Sequence, residues 1–478
     1  LRDINTTIEI RSPLLKSIGA LADELNIEAY VVGGWVRDQM LGLGDKDIDI
    51  LVIGDGVEFA KHVAKKFGTE TVVAFERFGT AMVPINGGKV EFVGARKEKY
   101  DSGSRKPAVE VGTLRDDLLR RDFTVNALAV SINNNTFGAL HDAFGGIQDL
   151  NDGILRTPLD PVKTFEDDPL RILRAIRFAS QLGFSIEEKA LDAITTMKDR
   201  LAIISQERIT DEFFKILKTE KPSVGLRLMF DTGVMHIVFP EVAQMAGVDQ
   251  RRDHHHKDVF LHTCIVVDNI AKTTDNVWLR FVALMHDVAK PRTKKFIEGI
   301  GWTFHGHEEL GARMQKNFFH KLKLPLEHLP YVEKLVRLHL RPMVLVDEEV
   351  TDSAVRRLVF ETGNDIDDLM KLCRADITSK NPKLVEKYLR NYDVVMQKIV
   401  EVEEKDRLRN WRPPVMGEEI MAVCGLQPGK QVGILKKAIE EAVLDGKIPN
   451  EHHAALEYLV SVKDELLQQY QQEISSRS

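Results

Sequence analysis

Over the first 150 residues the apolar positions alternate between a helical spacing and a strand spacing. Leu14, Leu15, Ile18, Leu21 and Leu25 share one face of a helix predicted over 12–25. Residues 28–32 read as a strand, Gly33-Gly34 breaks it, and helical spacing resumes from Val36 to Leu43. A second strand is predicted over 47–53, a helix over 57–67, and further strands over 71–75, 80–85 and 89–93. Gly87-Gly88 is the expected hairpin turn between the last two, and the polar run 101–107 reads as a loop. From about residue 167 the spacing is helical almost throughout, with Asp168 the expected N-cap and Pro169 the first helical residue. The pattern predicts an α/β head with a mixed or antiparallel sheet, then an all-α remainder. Breaks in composition at 251–257 (RRDHHHK) and 409–414 (RNWRPP) mark candidate boundaries.

Composition changes this picture little. The 478 residues suffice for about three domains at roughly 150 residues each. A net charge of −7 excludes nucleic-acid binding through bulk charge and leaves room for a local basic groove. Cys264, Cys373 and Cys424 are too scattered for a disulfide framework or a CxxC metal site, as expected in a reducing compartment. Apolar runs are too short to span a bilayer, and the first 30 residues lack the basic-then-apolar order of a leader. The expectation is a cytoplasmic enzyme with no membrane partner.

The first chemical constellation is DKDIDI. Strand alternation puts Asp47 and Asp49 on one face and Ile48, Ile50 and Val52 on the other. Two adjacent carboxylates repel unless cations neutralise them, and Mg²⁺ with oxygen ligands is the natural answer. Just upstream, Gly33-Gly34 opens a strand-to-helix turn whose free N–H groups can hold phosphate, with Arg37 one turn in. Taken alone, the pair of aspartates reads more readily as an exposed strand end beside a tight turn.

These residues resemble the first motif of the polymerase beta-like nucleotidyltransferases, specifically the class II tRNA nucleotidyltransferase and bacterial poly(A) polymerase family. Further motifs follow in order: RRDFTVNA (120–127), DAFGGIQDLNDGILR (142–156), DDPLRILRAIRF (167–178) and ERITDE (207–212). The resemblance implies a polymerase beta-like nucleotidyltransferase head over 1–155 and a helical neck over 156–245 that recognises the base. An HD body would follow over 246–400, and a helical tRNA-binding tail over 401–478. Asp47 and Asp49 would hold Mg²⁺, an RNA 3′-hydroxyl would attack the α-phosphate of an NTP, and pyrophosphate would leave. Gly34, Arg37 and Arg121 would bind triphosphate or ribose. Glu91, in KVEFV, reads as an exposed strand residue and stays outside the expected site.

Asp168, Arg171, Arg174 and Arg177 recur every three residues and, by the resemblance, read the base. A carboxylate accepts from an exocyclic amino group while a guanidinium donates to the neighbouring ring nitrogen. Cytosine and adenine both offer that pattern; uracil and guanine offer its reverse and would leave buried polar groups unpaired. The motif here opens with Asp167-Asp168 where the family usually has Glu-Asp. The plain alternatives are an N-cap for Asp168 and a solvated face for the arginines.

His262, His286-Asp287, His305, His307, His339 and Asp376 form a second constellation, whose imidazoles and carboxylates suit a divalent transition metal. HD after an apolar run and before Lys-Pro resembles the HD-superfamily phosphohydrolases. In that frame His262, His286, Asp287 and Asp376 are metal ligands, with His307 and His339 where two-metal members place extra ones. The triplet His254–His256 reads as surface. Pro428-Gly429-Lys430 reads as a helix start, with Lys436 and Lys437 able to meet an RNA backbone.

The resemblance therefore implies completion of the 3′-terminal CCA of tRNA from CTP and ATP, with an additional phosphohydrolase activity in the HD body. The alternatives are a poly(A) polymerase, an enzyme adding only CC or only A, an HD phosphohydrolase with an idle head, and a non-enzymatic RNA binder. The mixed charge of the last 22 residues disfavours a nonspecific RNA grip, and the intact aspartate pair disfavours the last two.

Overall fold

The computed structural model describes residues 7–44, 47–76, 79–85, 87–99, 108–248, 258–347, 351–379, 381–406 and 414–477. The predicted loop 101–107, the 251–257 stretch with His254–His256, and residues 409–413 of the second candidate boundary lie outside these. Two compact units, Leu1–Pro240 and Glu241–Ser478, divide the chain.

The first unit begins with α1 (Pro13–Glu24), whose N-cap Ser12 accepts from the Leu15 N–H, and β1 (Ala29–Val32). Gly33 turns the chain into α2 (Gly34–Leu41), followed by β2 (Ile48–Val52) and α3 (Gly56–Lys66), capped by Asp55. The strands β3 (Val73–Phe75), β4 (Thr80–Ile85) and β5 (Gly88–Gly94) follow, then the hairpin β6 (Arg96–Lys99) and β7 (Ala108–Val111). After α4 (Leu114–Leu119), with a Thr113–Asp116 capping box, come β8 (Leu128–Ser131) and β9 (Leu140–Asp142). Seven strands make one mixed sheet in the order β3-β4-β5-β2-β1-β8-β9. β2 runs parallel to β5 and antiparallel to β1, so the strand carrying Asp49 is paired on both edges. Within it, Ile50, Leu51 and Val52 are fully buried.

Helices complete the unit: α5 (Gly146–Asp152), α6 (Pro161–Asp167), α7 (Leu170–Leu182), α8 (Glu188–Met197), α9 (Gln206–Leu217), α10 (Pro222–Asp231) and α11 (Val234–Val238). The short strands β10 (Ile154–Leu155) and β11 (Ser185–Ile186) pair in parallel among them. α7 starts one residue later than expected. Pro169 is its N-cap, and Asp168 ends α6 while its Oδ1 still accepts from the Leu170 N–H at 3.1 Å. Leu170, Ile172, Leu173 and Ile176 all pack inward, as their spacing predicts.

After α12 (Pro240–Ala243), the described residues of the second unit are helical apart from one hairpin. α13 (Val259–Ala271), α14 (Val277–Met285) and α15 (Lys290–Thr293) lead into β12 (Lys295–Ile297) and β13 (Gly301–Thr303). Then come α16 (His307–Lys321), α17 (Leu329–Leu338), α18 (Arg341–Asp347), α19 (Asp352–Thr362) and α20 (Ile366–Asp376). α21 (Pro382–Asp406), α22 (Gly417–Cys424), α23 (Lys430–Leu444) and α24 (His452–Arg477) close the chain. α23 starts at the predicted Pro-Gly-Lys, and no helix among the described residues is long and apolar enough to cross a membrane.

Candidate functional site

Gly34, Arg37, Asp47, Asp49, Arg121, Asp168, Arg171, Arg174 and Arg177 all line one open cleft of about 490 Å³ in the first unit. The residues expected to hold metal, triphosphate and base are therefore in one place.

One wall is the β1–α2 turn and the start of β2. Gly33 has φ +74°, and a Cβ there would stand 2.8 Å from an Arg121 Nη and 3.9 Å from an Asp49 Oδ, so glycine is needed both for the turn and for the close approach. Asp47 is exposed and Asp49 half-buried. Burial raises the Asp49 carboxyl to about 6; Glu91 and Asp47 push it the same way, with Arg121 opposing. Glu91 is the residue that sequence reasoning set aside: β2 and β5 pair Asp49 with Glu91 in register. Period-two alternation could not show that, because it does not say which strand lies next to β2. The result is a concentration of negative charge that fits hard divalent cations.

The facing wall is basic. Arg120 and Arg121 both pair with fully buried Asp117. Arg37 is buried, paired with Asp38 at 2.7 Å and bonded to Asn126 at 2.6 Å, so much of its donor capacity is already engaged. Arg171 donates to the Arg120 carbonyl at 2.6 Å, which holds α7 against the end of α4. Arg174 pairs with Asp122 at 2.5 Å. Burial alone would raise the Asp122 acid, but Arg174 and the Asn126 amide hold it down to about 2. Glu212 takes Arg177 at 3.0 Å and stands 3.9 Å from Arg174. Arg208 reaches Asp168 at 3.2 Å. Of the row on α7, Arg174 and Arg177 are thus committed to carboxylates from neighbouring elements, and Asp168 has an exposed partner that a ligand can displace. Phe178 sits beneath three guanidinium groups: Arg177 at 4.1 Å, Arg37 at 5.0 Å and Arg174 at 5.4 Å from its ring. Asp122, Asn126 and Glu212 lie inside quoted motifs, but only the fold reveals which arginine each one holds.

The second constellation also assembles. His262, His286 and Asp376 form one group and Asp287, His307 and His339 another, each with ligand atoms within 4.8 Å of one another. The groups adjoin, since Asp287 Oδ2 is 3.3 Å from His286 Nε2 and Asp287 Oδ1 is 3.3 Å from His307 Nε2. Asp287 therefore sides with His307 and His339 as much as with the expected frame. Exposed His305 is absent from both groups.

The imidazoles share one orientation. Nδ1 bonds a backbone carbonyl in His286 (Ala283, 2.7 Å), His307 (Phe304, 2.8 Å) and His339 (Val336, 2.7 Å), and the Thr378 hydroxyl in His262 (2.9 Å). That leaves Nε2 of His286, His307 and His339, together with Asp287 Oδ1, buried without an aligned hydrogen bond. Orphaned inward nitrogens with the far nitrogen anchored are what a metal centre requires, so these residues fit a divalent ion. Without one, burial alone would strip the His286 proton, yet Asp287 and Asp376 raise its pKa to about 10. Burial and the neighbouring His286 charge lower His339 to about 3.

The poly A polymerase head domain matches residues 29–156, the probable RNA- and SrmB-binding region of polymerase A matches 183–245, and the HD domain matches 252–378. The A-adding tRNA nucleotidyltransferase of Deinococcus radiodurans is 30% identical over 88% of this chain and 92% of its own length. The chain belongs to the tRNA nucleotidyltransferase family. The CC-adding enzyme of Thermus thermophilus is 30% identical over 89% and 92% of the two chains, and a multifunctional CCA protein of Vibrio parahaemolyticus 31% over 73% and 85%. Against A-adding members from Geobacter sulfurreducens and Aquifex aeolicus, the match spans only 26% and 32% of those longer proteins. A solved tRNA nucleotidyltransferase with a primer tRNA and an incoming ATP analogue superimposes with TM-score 0.59 and 25% identity, over 81% of this chain and 99% of that one. The expected order of head, neck and HD domain is therefore correct. Both domain types generally use divalent metals.

Proposed function

We propose that this protein adds or restores the 3′-terminal CCA of tRNA from CTP and ATP, releasing pyrophosphate. The observation that carries this reading is the single cleft in which the Asp47–Asp49 pair faces the arginines of α7. Asp47 and Asp49 hold Mg²⁺, with Glu91 close enough to share its field. When bound, the metal would supply charge neutralisation to an in-line displacement. Gly34 presents a backbone N–H to the triphosphate, and Arg121 adds positive charge beside it. Arg37 acts mainly by fixing the turn, because Asp38 and Asn126 already occupy it.

Asp168 and Arg171 read the Watson–Crick edge of cytosine or adenine. Asp168 exchanges its exposed Arg208 partner for the amino group of the base. Arg174 and Arg177, held by Asp122 and Glu212, set the shape of that pocket and keep α7 in register. The reading divides the chain into a catalytic head (1–155), a neck (156–245), an HD body (246–400) and a tRNA-binding tail (401–478), and assigns the protein to the cytoplasm.

The buried, inward-facing Nε2 atoms support a second activity. His262, His286, Asp287, His307, His339 and Asp376 would hold one or two divalent transition metals, which would supply an activated water for hydrolysis of phosphate esters. Lys290, 2.7 Å from Asp287 Oδ2, keeps that carboxylate oriented.

The test is to incubate the protein with Mg²⁺ and tRNA lacking its CCA, with CTP, ATP or both, and to size the products to one nucleotide. Two additions with CTP alone, then a stop after a third with ATP, are expected. A stop at two with both nucleotides marks a CC-adding enzyme, and addition only to tRNA ending in CC an A-adding one. A long ladder of A overturns the reading in favour of poly(A) synthesis.

A further inference from the structure

We infer that the β12–β13 hairpin is a stacking platform that delivers the 3′ end of single-stranded RNA to the histidine–aspartate centre. This deepens the phosphohydrolase reading of that centre, and rests on it for turnover but not for binding.

The hairpin is rooted in the centre at both ends. On its entry side Lys290 bonds Asp287 at 2.7 Å; on its exit side the Phe304 carbonyl accepts from His307 Nδ1 at 2.8 Å. Between these anchors the chain projects aromatic surface. Phe296 and Trp302 are direct cross-strand partners, their rings edge-to-face at 5.3 Å, so both lie on one face. They remain 48% and 43% exposed, and Ile300 at the tip is 72% exposed. On the other face Gly301 and Thr303 of β13 are buried, while their β12 partners Ile297 and Lys295 are exposed. The hairpin is therefore anchored through β13, with β12 and the Phe296–Trp302 face in solvent.

Charge identifies the occupant. Residues 292–300 carry Arg292, Lys294 and Lys295 against the single acid Glu298, in a chain whose net charge is −7. Lys294 Nζ lies 4.5 Å over the Trp302 ring, so cation and ring share one surface. Rings interleaved with cations are how proteins hold single strands: bases stack and phosphates meet the cations. A strand of three residues is about 10 Å long, the rise of about three stacked bases. An apolar protein segment would cover the rings but leave the cations unanswered. A phosphate-rich strand answers both, and its terminal phosphate is the group a hydrolytic metal centre acts on.

The experiment uses the full chain and two short oligoribonucleotides ending in a 3′-phosphate, one normal and one abasic at its last two positions. Stacking makes KM for the normal strand about tenfold lower than for the abasic one. Trp302→Ala abolishes that ratio with kcat held, and Trp302→Phe restores it. Independently of turnover, a strand ending in 4-thiouridine crosslinks on irradiation to the peptide holding Trp302, in the parent and in His286→Ala alike. Crosslinking without phosphate release upholds the platform and removes the hydrolytic reading. Release with equal KM for both strands and no crosslink overturns the platform alone. Absence of the crosslink, with a dimer that Trp302→Ala converts to monomer, gives the surface to a second copy and also overturns it.

Discussion

Asp49→Asn will stabilise the metal-free protein while abolishing its activity. Burial, Glu91 and Asp47 raise the Asp49 carboxyl from 3.8 to about 6, so the folded state holds its proton more tightly than the unfolded chain does. Below pH 3.8 the acid is neutral in both states and costs nothing. Between 3.8 and about 6 only the folded state keeps the proton, and stability falls as pH rises. Above about 6 the whole cost is present, about 3 kcal/mol at about 1.4 kcal/mol per tenfold change in acidity constant. Solvent at this half-buried site trims it to about 1–2 kcal/mol. Asparagine keeps the shape without the charge. In a unit of this size the gain is about 3–6 °C in Tm. Scanning calorimetry in chelator should show it at about pH 7.5 and lose it near pH 4. Excess Mg²⁺ should raise the parent's Tm at the higher pH and leave Asp49→Asn unmoved. An equal gain at both pH values, or none at either, would show that ionic crowding is not what Asp49 costs the fold.

The remaining predictions probe the walls of both centres. Asp168→Ala or Arg171→Ala should relax the choice between CTP or ATP and UTP or GTP by about 10²-fold or more, read from single-nucleotide incorporation, with Mg²⁺ dependence unchanged. Glu212→Ala leaves Arg177 without its carboxylate and should cost about 3 kcal/mol, measured by urea unfolding. Asp122, held at about 2, contributes stability above pH 3.8 that disappears as pH falls through 2, so Asp122→Asn should flatten the acid limb of the stability curve. His286→Ala should empty the second centre of metal, as read by elemental analysis of the purified protein, while CCA addition persists.

Much of this was legible in the sequence because local rules sufficed. The spacing of Leu14, Leu15, Ile18, Leu21 and Leu25 announces α1, and Gly33-Gly34 the turn. The cleft's members were legible because ordered motifs carry them. Tertiary pairing was not: Glu91 gains meaning only once β5 lies beside β2, and nothing in KVEFV says so. Likewise, a row of arginines every three residues reads as one functional face, yet Asp122 and Glu212, brought in from a turn and from α9, set two of the three apart as braces. Asp287 shows the same limit, since sequence neighbours tie it to His286 while the fold turns one of its oxygens towards His307.

Phe178 has a consequence beyond packing. One ring lies under the guanidinium that fixes the phosphate-side turn and under the two that brace the base-reading helix. Energetic linkage between two halves of one ligand is reciprocal. If seating a base strains α7 through this ring, the grip on the triphosphate changes by the same factor, and a wrong base is then penalised at the far end of its own nucleotide.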